Sequence, residues 1–132
     1  LIKKIYKKRG KNIIALSPNF KNKIKTNKNM IVLNEKNYFR YFKTSKLCVT
    51  NAGNTLIEAL YLKKKCIVVP QTKNEIKFAK YLKKEKYTFD LDILKNQNIE
   101  NLIKLKTRNC IDGRGVIRII NIIKKLVYDK NI

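Results

Sequence analysis

Histidine is absent from this chain of 132 residues. Its absence removes the commonest general base and the commonest metal ligand, so any chemistry of the chain alone would use carboxylates, lysine or tyrosine. Long apolar segments are also absent. The longest segment without a charged residue runs from Leu47 to Ile57, far short of the roughly 20 residues that cross a bilayer, and no charged-then-apolar leader precedes it. We therefore expect a soluble protein.

Cysteine is scarce, and Cys48, Cys66 and Cys110 form no close pair in the sequence. Two of them lie in apolar, strand-like segments, where cysteine usually behaves as a small buried hydrophobe. An odd number of cysteines without metal-ligand spacing indicates a reducing compartment. We predict a cytoplasmic protein with no metal site.

Acidic residues are few, 9 against 32 lysines and arginines, which gives a net charge of +23. A basic surface attracts nucleic-acid phosphates. However, lysine outnumbers arginine 27 to 5 and is scattered among isoleucines and asparagines, as an AT-rich coding sequence would produce. Arginine, which reads bases and grips phosphates in a fork, is rare here. We do not favour nucleic-acid binding, but a non-catalytic basic module that binds nucleic acid or a partner protein remains the alternative function.

Apolar segments rich in β-branched residues alternate with segments of helical spacing. They predict strands over 12–16, 30–33, 47–50, 66–70 and 87–89, and helices over 1–9, 37–44, 55–64, 74–84, 99–106 and 115–128. Continuously apolar strands separated by helices are typical of a parallel sheet covered on both faces. We predict an α/β fold, a Rossmann-like parallel sheet flanked by helices, in a single domain over residues 1–132.

The segment "NAGNT", from Asn51 to Thr55, follows a predicted strand and leads into a helix. In parallel sheets, ligands bind where strands end and helix N-termini present unpaired amides. Small residues there allow close approach of a diphosphate, and Glu58, one turn later, can accept hydrogen bonds from a sugar diol. The residues alone favour another role, a capping box between Thr55 and Glu58, and the glycine and asparagines also simply make turns.

Three segments together resemble a known family. "CVTNAGNTLIEALYLKKKCIVVPQTKNEIKFAKYL" resembles the donor-nucleotide motif in the C-terminal domain of GT-B fold glycosyltransferases of family 28. It is closest to the UDP-sugar hydrolase of pseudaminic acid biosynthesis and its spore-coat polysaccharide relatives. "IDGRGVIRII", in which Asp112 is expected to cap the last helix, and "SPNFKN" resemble further segments of that family.

The resemblance implies a site for a UDP-sugar. In it, backbone amides of one turn hold the diphosphate, an acid binds the ribose hydroxyls, backbone faces the uracil, and a polar pair approaches the sugar. By this resemblance, the diphosphate is held by the backbone of Ala52, Gly53, Asn54 and Thr55, and the ribose hydroxyls are bound by Glu58. The uracil faces the backbone of Leu33 and Asn34, and the sugar is approached by Asn74 and Glu75. Two positions depart from the family pattern, since Ala52 replaces a glycine and Glu75 replaces a glutamine. No catalytic residue, cofactor or metal ligand is implied.

The resemblance further implies a UDP-sugar-binding half of a hydrolase or glycosyltransferase in surface glycan biosynthesis of the pseudaminic or nonulosonic acid type. We expect this half, lacking the family's first strand, to be incomplete on its own and to work with a separate N-terminal catalytic half. The last predicted helix is apolar on most sides and needs burial. Any membrane contact is expected to be peripheral at most.

Overall fold

The structure, a computed structural model, describes residues 14–16 and 30–128. The chain divides into two compact units, Leu1–Lys46 and Leu47–Ile132, and each is described by itself below. The predicted helix over 1–9, the "SPNFKN" turn and the expected lack of a first strand concern residues outside the described ones.

Among its described residues, the first unit contains a parallel strand pair and a helix. Strand β1, Ile14–Leu16, pairs in parallel with β2, Met30–Val32. Helix α1, Glu35–Thr44, begins two residues before the predicted start. The reason is a capping box, in which the backbone amide of Asn37 donates to Asn34 Oδ1 at 3.0 Å and that of Asn34 donates to Asn37 Oδ1 at 2.8 Å.

The second unit opens with a strand, a helix and a parallel strand. These are β3, Leu47–Thr50, α2, Asn54–Tyr61, and β4, Lys65–Val68. Helix α3, Lys73–Lys84, follows, and then α4, Ile93–Asn96, α5, Ile99–Lys104, and α6, Gly115–Tyr128. The predicted strand over 87–89 reduces to one parallel bridge, in which Phe89 pairs with Ile67. Helix α4 was not predicted.

The α/β class and the parallel strand pairing are confirmed. Thr50 lies opposite Val68 in β3 and β4, so both strands end at the same edge. The core of the second unit lies around α2 and β4, because α2 places apolar residues at helical spacing on one face and β4 is apolar from Cys66 to Val68. The buried apolar residues are Leu56, Ala59, Leu60, Cys66, Ile67, Val68, Leu82 and Leu102.

Two cysteines that are distant in the sequence are neighbours in the sheet. Cys48 and Cys66 are 18 positions apart in the chain but lie directly opposite each other in β3 and β4. The intervening helix returns the chain to a parallel strand in register, which sequence spacing does not reveal. The buried Cys66 thiol donates to the Lys64 carbonyl at 3.5 Å. The facing Cys48 sulfur and burial both raise the pKa of Cys66, whereas the facing Cys66 thiol lowers the pKa of Cys48. Both thiols are free.

Asp112 lies near the start of α6 but does not cap it as expected, because it accepts from an amide that precedes the helix. Its Oδ1 accepts from the backbone amide of Arg114 at 3.0 Å, just before α6, and its Oδ2 pairs with the guanidinium of Arg118 in the first turn. These bonds lower the pKa of the Asp112 carboxyl. The carboxylate therefore joins the loop before α6 to the first turn of that helix.

Replacing Thr88 by valine should raise the free energy of unfolding by about 1 kcal/mol. The Thr88 hydroxyl is buried and has no hydrogen-bond partner among the described residues. Valine keeps the shape of the side chain and removes the polar group that folding leaves unsatisfied. Urea denaturation of both proteins measures the change. Thr88→Ser, which keeps the hydroxyl, is the control, and a less stable valine variant would contradict the prediction.

Candidate functional site

The turn between β3 and α2 presents backbone amides at a helix start. Gly53 is the N-cap of α2 and forms no side-chain capping bond. Its carbonyl accepts from the amides of Leu56, at 3.0 Å, and Ile57, at 3.4 Å. Within residues 30–128, the amides of Gly53, Asn54 and Thr55 have no acceptor. Three donors therefore lie together at the positive end of the helix dipole.

The capping box predicted between Thr55 and Glu58 is absent, so that interpretation was wrong. Because the helical hydrogen bonds already begin at the Gly53 carbonyl, Thr55 lies inside the helix and does not cap it. Glu58 is exposed, and within the described part of the chain its carboxylate makes no hydrogen bond or ion pair. The Glu58 carboxylate is therefore accessible to a ligand.

Glu58 lies on the face of α2 opposite the core. The buried residues of this helix are Leu56, Ala59 and Leu60. Glu58 follows Asn54 by four positions and Thr55 by three, so the three side chains share one side. Side chains on a helix tilt towards its N-terminus, and the carboxylate consequently leans back over the turn that bears the free amides.

Gly53 is not required by the turn itself. Its φ of −102° is one that any residue adopts. A Cβ added there would have the Asn51 side chain as its nearest neighbour, at 3.4 Å, which is ordinary contact. The fold accepts alanine at this position, so the structural explanation for a glycine, that only glycine fits the turn, does not hold.

Glu75 connects two loops at the edge where β3 and β4 end. Its Oε1 accepts from Asn51 Nδ2 at 3.1 Å, and its Oε2 accepts from the amides of Gln71, at 2.8 Å, and Ala52, at 3.4 Å. The structure thereby brings Ala52 and Glu75, two of the predicted residues, into contact. The carboxylate and the Ala52 amide are both engaged within the protein.

The sequence contains a local signal for the position of Glu75 at the start of α3. Thr72 and Glu75 have the spacing of a capping box, and the Thr72 hydroxyl does accept from the Glu75 amide at 3.2 Å. The carboxylate, however, bonds to Gln71 and not to Thr72. Asn51 was missing from the predicted site because its partner, Glu75, comes from another loop. Gln71 was missing although its partner is local, because it takes part through its backbone amide. Asn74 is exposed in the first turn of α3.

Leu33 and Asn34 belong to the first unit, and their placement is described within that unit alone. The amide of Asn34 donates to Asn37, and its carbonyl accepts from the amides of Asn37, at 3.2 Å, and Tyr38, at 2.8 Å. Both backbone groups of Asn34 therefore serve the start of α1. Leu33 is half-buried just before that cap.

Metal ligands do not cluster anywhere in residues 14–16 and 30–128, where no group of three cysteine, aspartate or glutamate side chains is placed to hold an ion. Over the same residues, the helices are all too short or too polar to cross a bilayer. No protein-family model, curated protein or solved structure matches the chain.

Proposed function

We propose that the chain binds a UDP-sugar through the turn from Gly53 to Thr55 and the carboxylate of Glu58. In this proposal the chain is the donor-binding half, of Rossmann-like GT-B architecture, of a UDP-sugar hydrolase or glycosyltransferase that acts in surface glycan biosynthesis. A separate N-terminal half supplies the catalytic groups, and no residue of this chain is assigned a catalytic role.

One observation carries the proposal: the exposed, unpaired Glu58 lies one turn beyond three amides that have no acceptor among the described residues. Amides at a helix N-terminus bind phosphate oxygens, and the helix dipole adds to the attraction. A carboxylate accepts two hydrogen bonds, as a ribose diol requires. The turn and the acid together suit the two polar parts of a nucleoside diphosphate.

The resemblance to the family-28 motif implies the same roles for Gly53, Asn54, Thr55 and Glu58. The glycine at position 53 is explained by the proposal, because a diphosphate approaching the backbone closely leaves no room for a side chain. The Ala52 amide, already bonded to Glu75, contributes less than the resemblance implies. Asn74, exposed beside the same edge, remains the proposed contact to the sugar.

Calorimetry with UDP and 2′-deoxy-UDP tests the proposal. The wild-type chain is expected to bind UDP more tightly, because Glu58 accepts a hydrogen bond from the 2′-hydroxyl. Glu58→Ala should weaken UDP binding by roughly 1 to 3 kcal/mol, the value of hydrogen bonds to a charged group. The variant should also bind the two nucleotides equally, since the group that distinguishes them is gone.

Glu100→Ala is the matched control, because it removes an exposed carboxylate from the first turn of another helix. It should leave UDP binding unchanged. Absence of heat from UDP with the wild-type chain, alone and with a purified partner half, would overturn the proposal. Salt-sensitive binding of random DNA without UDP binding would favour the alternative, a basic interaction module.

A further inference from the structure

Helix α6 presents a large apolar surface to solvent. Nine large apolar or aromatic side chains between Val116 and Tyr128 are 45% to 71% exposed, and none of the helix is buried. By contrast, α2, α3 and α5 each bury at least one residue. Single exposed apolar residues are normal, but a contiguous patch of this kind marks an interaction surface.

The apolar side chains are concentrated on one side of the helix. Ile119, Ile123 and Leu126 follow each other at helical spacing, and the remaining apolar residues extend this surface over roughly two thirds of the circumference. The opposite side carries Arg118 and Lys125. No acidic residue occurs between Gly115 and Tyr128. The helix is therefore strongly amphipathic, and its charged side chains are all cationic.

A partner that matches both sides of this helix is apolar and anionic. A second copy of the chain offers the apolar surface but also carries a net charge of +23, so the two copies repel each other. Nucleic acid offers negative charge but no apolar phase for the isoleucines. A bilayer with anionic headgroups offers both, and helices of this composition bind there with their apolar side in the acyl region.

We propose that α6 is an interfacial helix that docks this chain on an anionic lipid bilayer. Its 14 residues extend about 21 Å, which suits a helix lying in the plane of the membrane and is too short for one that spans it. Lys124 falls among the apolar positions, so its stem can lie along them while its ammonium group reaches a lipid phosphate. Tyr128 ends the helix with an aromatic ring suited to the headgroup region.

Vesicle co-sedimentation of the complete chain tests this inference. The chain should bind vesicles of equimolar phosphatidylcholine and phosphatidylglycerol and bind pure phosphatidylcholine much more weakly. Sodium chloride at about 1 M, where the Debye length is about 3 Å, should reduce binding to the anionic vesicles. Ile119→Glu should reduce it roughly ten-fold or more, since the variant loses buried apolar surface and places a carboxylate among lipid phosphates.

Two controls separate the helix from the general charge of the chain. Ile76→Glu makes the same change at an exposed position of α3, and Lys77→Gln with Lys80→Gln removes two cations from that helix. Both should bind anionic vesicles within about two-fold of the wild-type chain, whereas Lys124→Gln with Lys125→Gln should bind several-fold more weakly. Equal binding to both vesicle types, or equal loss in all variants, would overturn the inference. The inference would also be overturned if the chain did not bind vesicles and instead formed a dimer that Ile119→Glu dissociates.

Discussion

Ile67→Ala is expected to lower the free energy of unfolding by about 3 kcal/mol, the largest loss that we predict for a single substitution. Ile67 is completely buried at the centre of β4, between Val49 of β3 and Phe89. Truncation removes the transfer free energy of three carbon atoms and leaves a cavity that the neighbouring strand and helix cannot fully close. Urea denaturation monitored by circular dichroism measures this loss.

Val49→Ala is the matched control, because Val49 lies directly opposite Ile67 in the same sheet but is 37% exposed. Its truncation should cost less than about 1 kcal/mol, since the side chain gives up little buried surface. Equal losses for the two variants would contradict the placement of the core at β4. The comparison holds strand pairing constant and varies burial.

Most of the element order could be predicted from the sequence because hydrophobic periodicity records burial locally. The approximate bounds predicted for α6, Gly115 and Tyr128, agree with the observed helix, and β3 was predicted with its exact bounds. Helix α4 has only four residues, which is too short for any periodicity to appear. The start of α1 was missed because Asn34 and Asn37 cap each other through their side chains, and asparagine is equally common in turns.

The candidate site was predicted less completely, for a physical reason. The turn at Gly53 and the acid at Glu58 are local features, whose positions follow from one strand and the helix after it. The bonds from Glu75 to Asn51 and Ala52 join residues 24 and 23 positions apart. Such contacts arise from strand register, which places the ends of β3 and β4 side by side. The same register produces the unpredicted contact between Cys48 and Cys66.

Glu75→Ala is expected to lower the free energy of unfolding by about 2 kcal/mol, because three donors lose their charged acceptor at once. The estimate is below the sum for three bonds, since Gln71 is exposed and water replaces part of what is lost. Loss of a carboxylate from the first turn of α3 adds a smaller cost through the helix dipole. Thermal and urea denaturation should agree on this value.

Glu75→Gln should cost about half as much, because the amide keeps one acceptor oxygen but presents its NH2 group to the other donors. Glu58→Ala is the control for removing a carboxylate from the same edge, and its effect should stay within about 0.5 kcal/mol, since that side chain makes no bond within the described residues.

Substitutions of the two acids therefore distinguish an effect on stability from an effect on binding. Glu75 holds the turn and the loop together, so its loss should loosen the Gly53 amides and weaken UDP binding through disorder, and stabilising the fold should restore that binding. Glu58 contacts the nucleotide directly in the proposed complex, so its loss should weaken binding in a chain that remains as stable as before. A Glu75→Ala protein with wild-type stability would show that the bonds to Asn51, Ala52 and Gln71 do not hold the edge in solution.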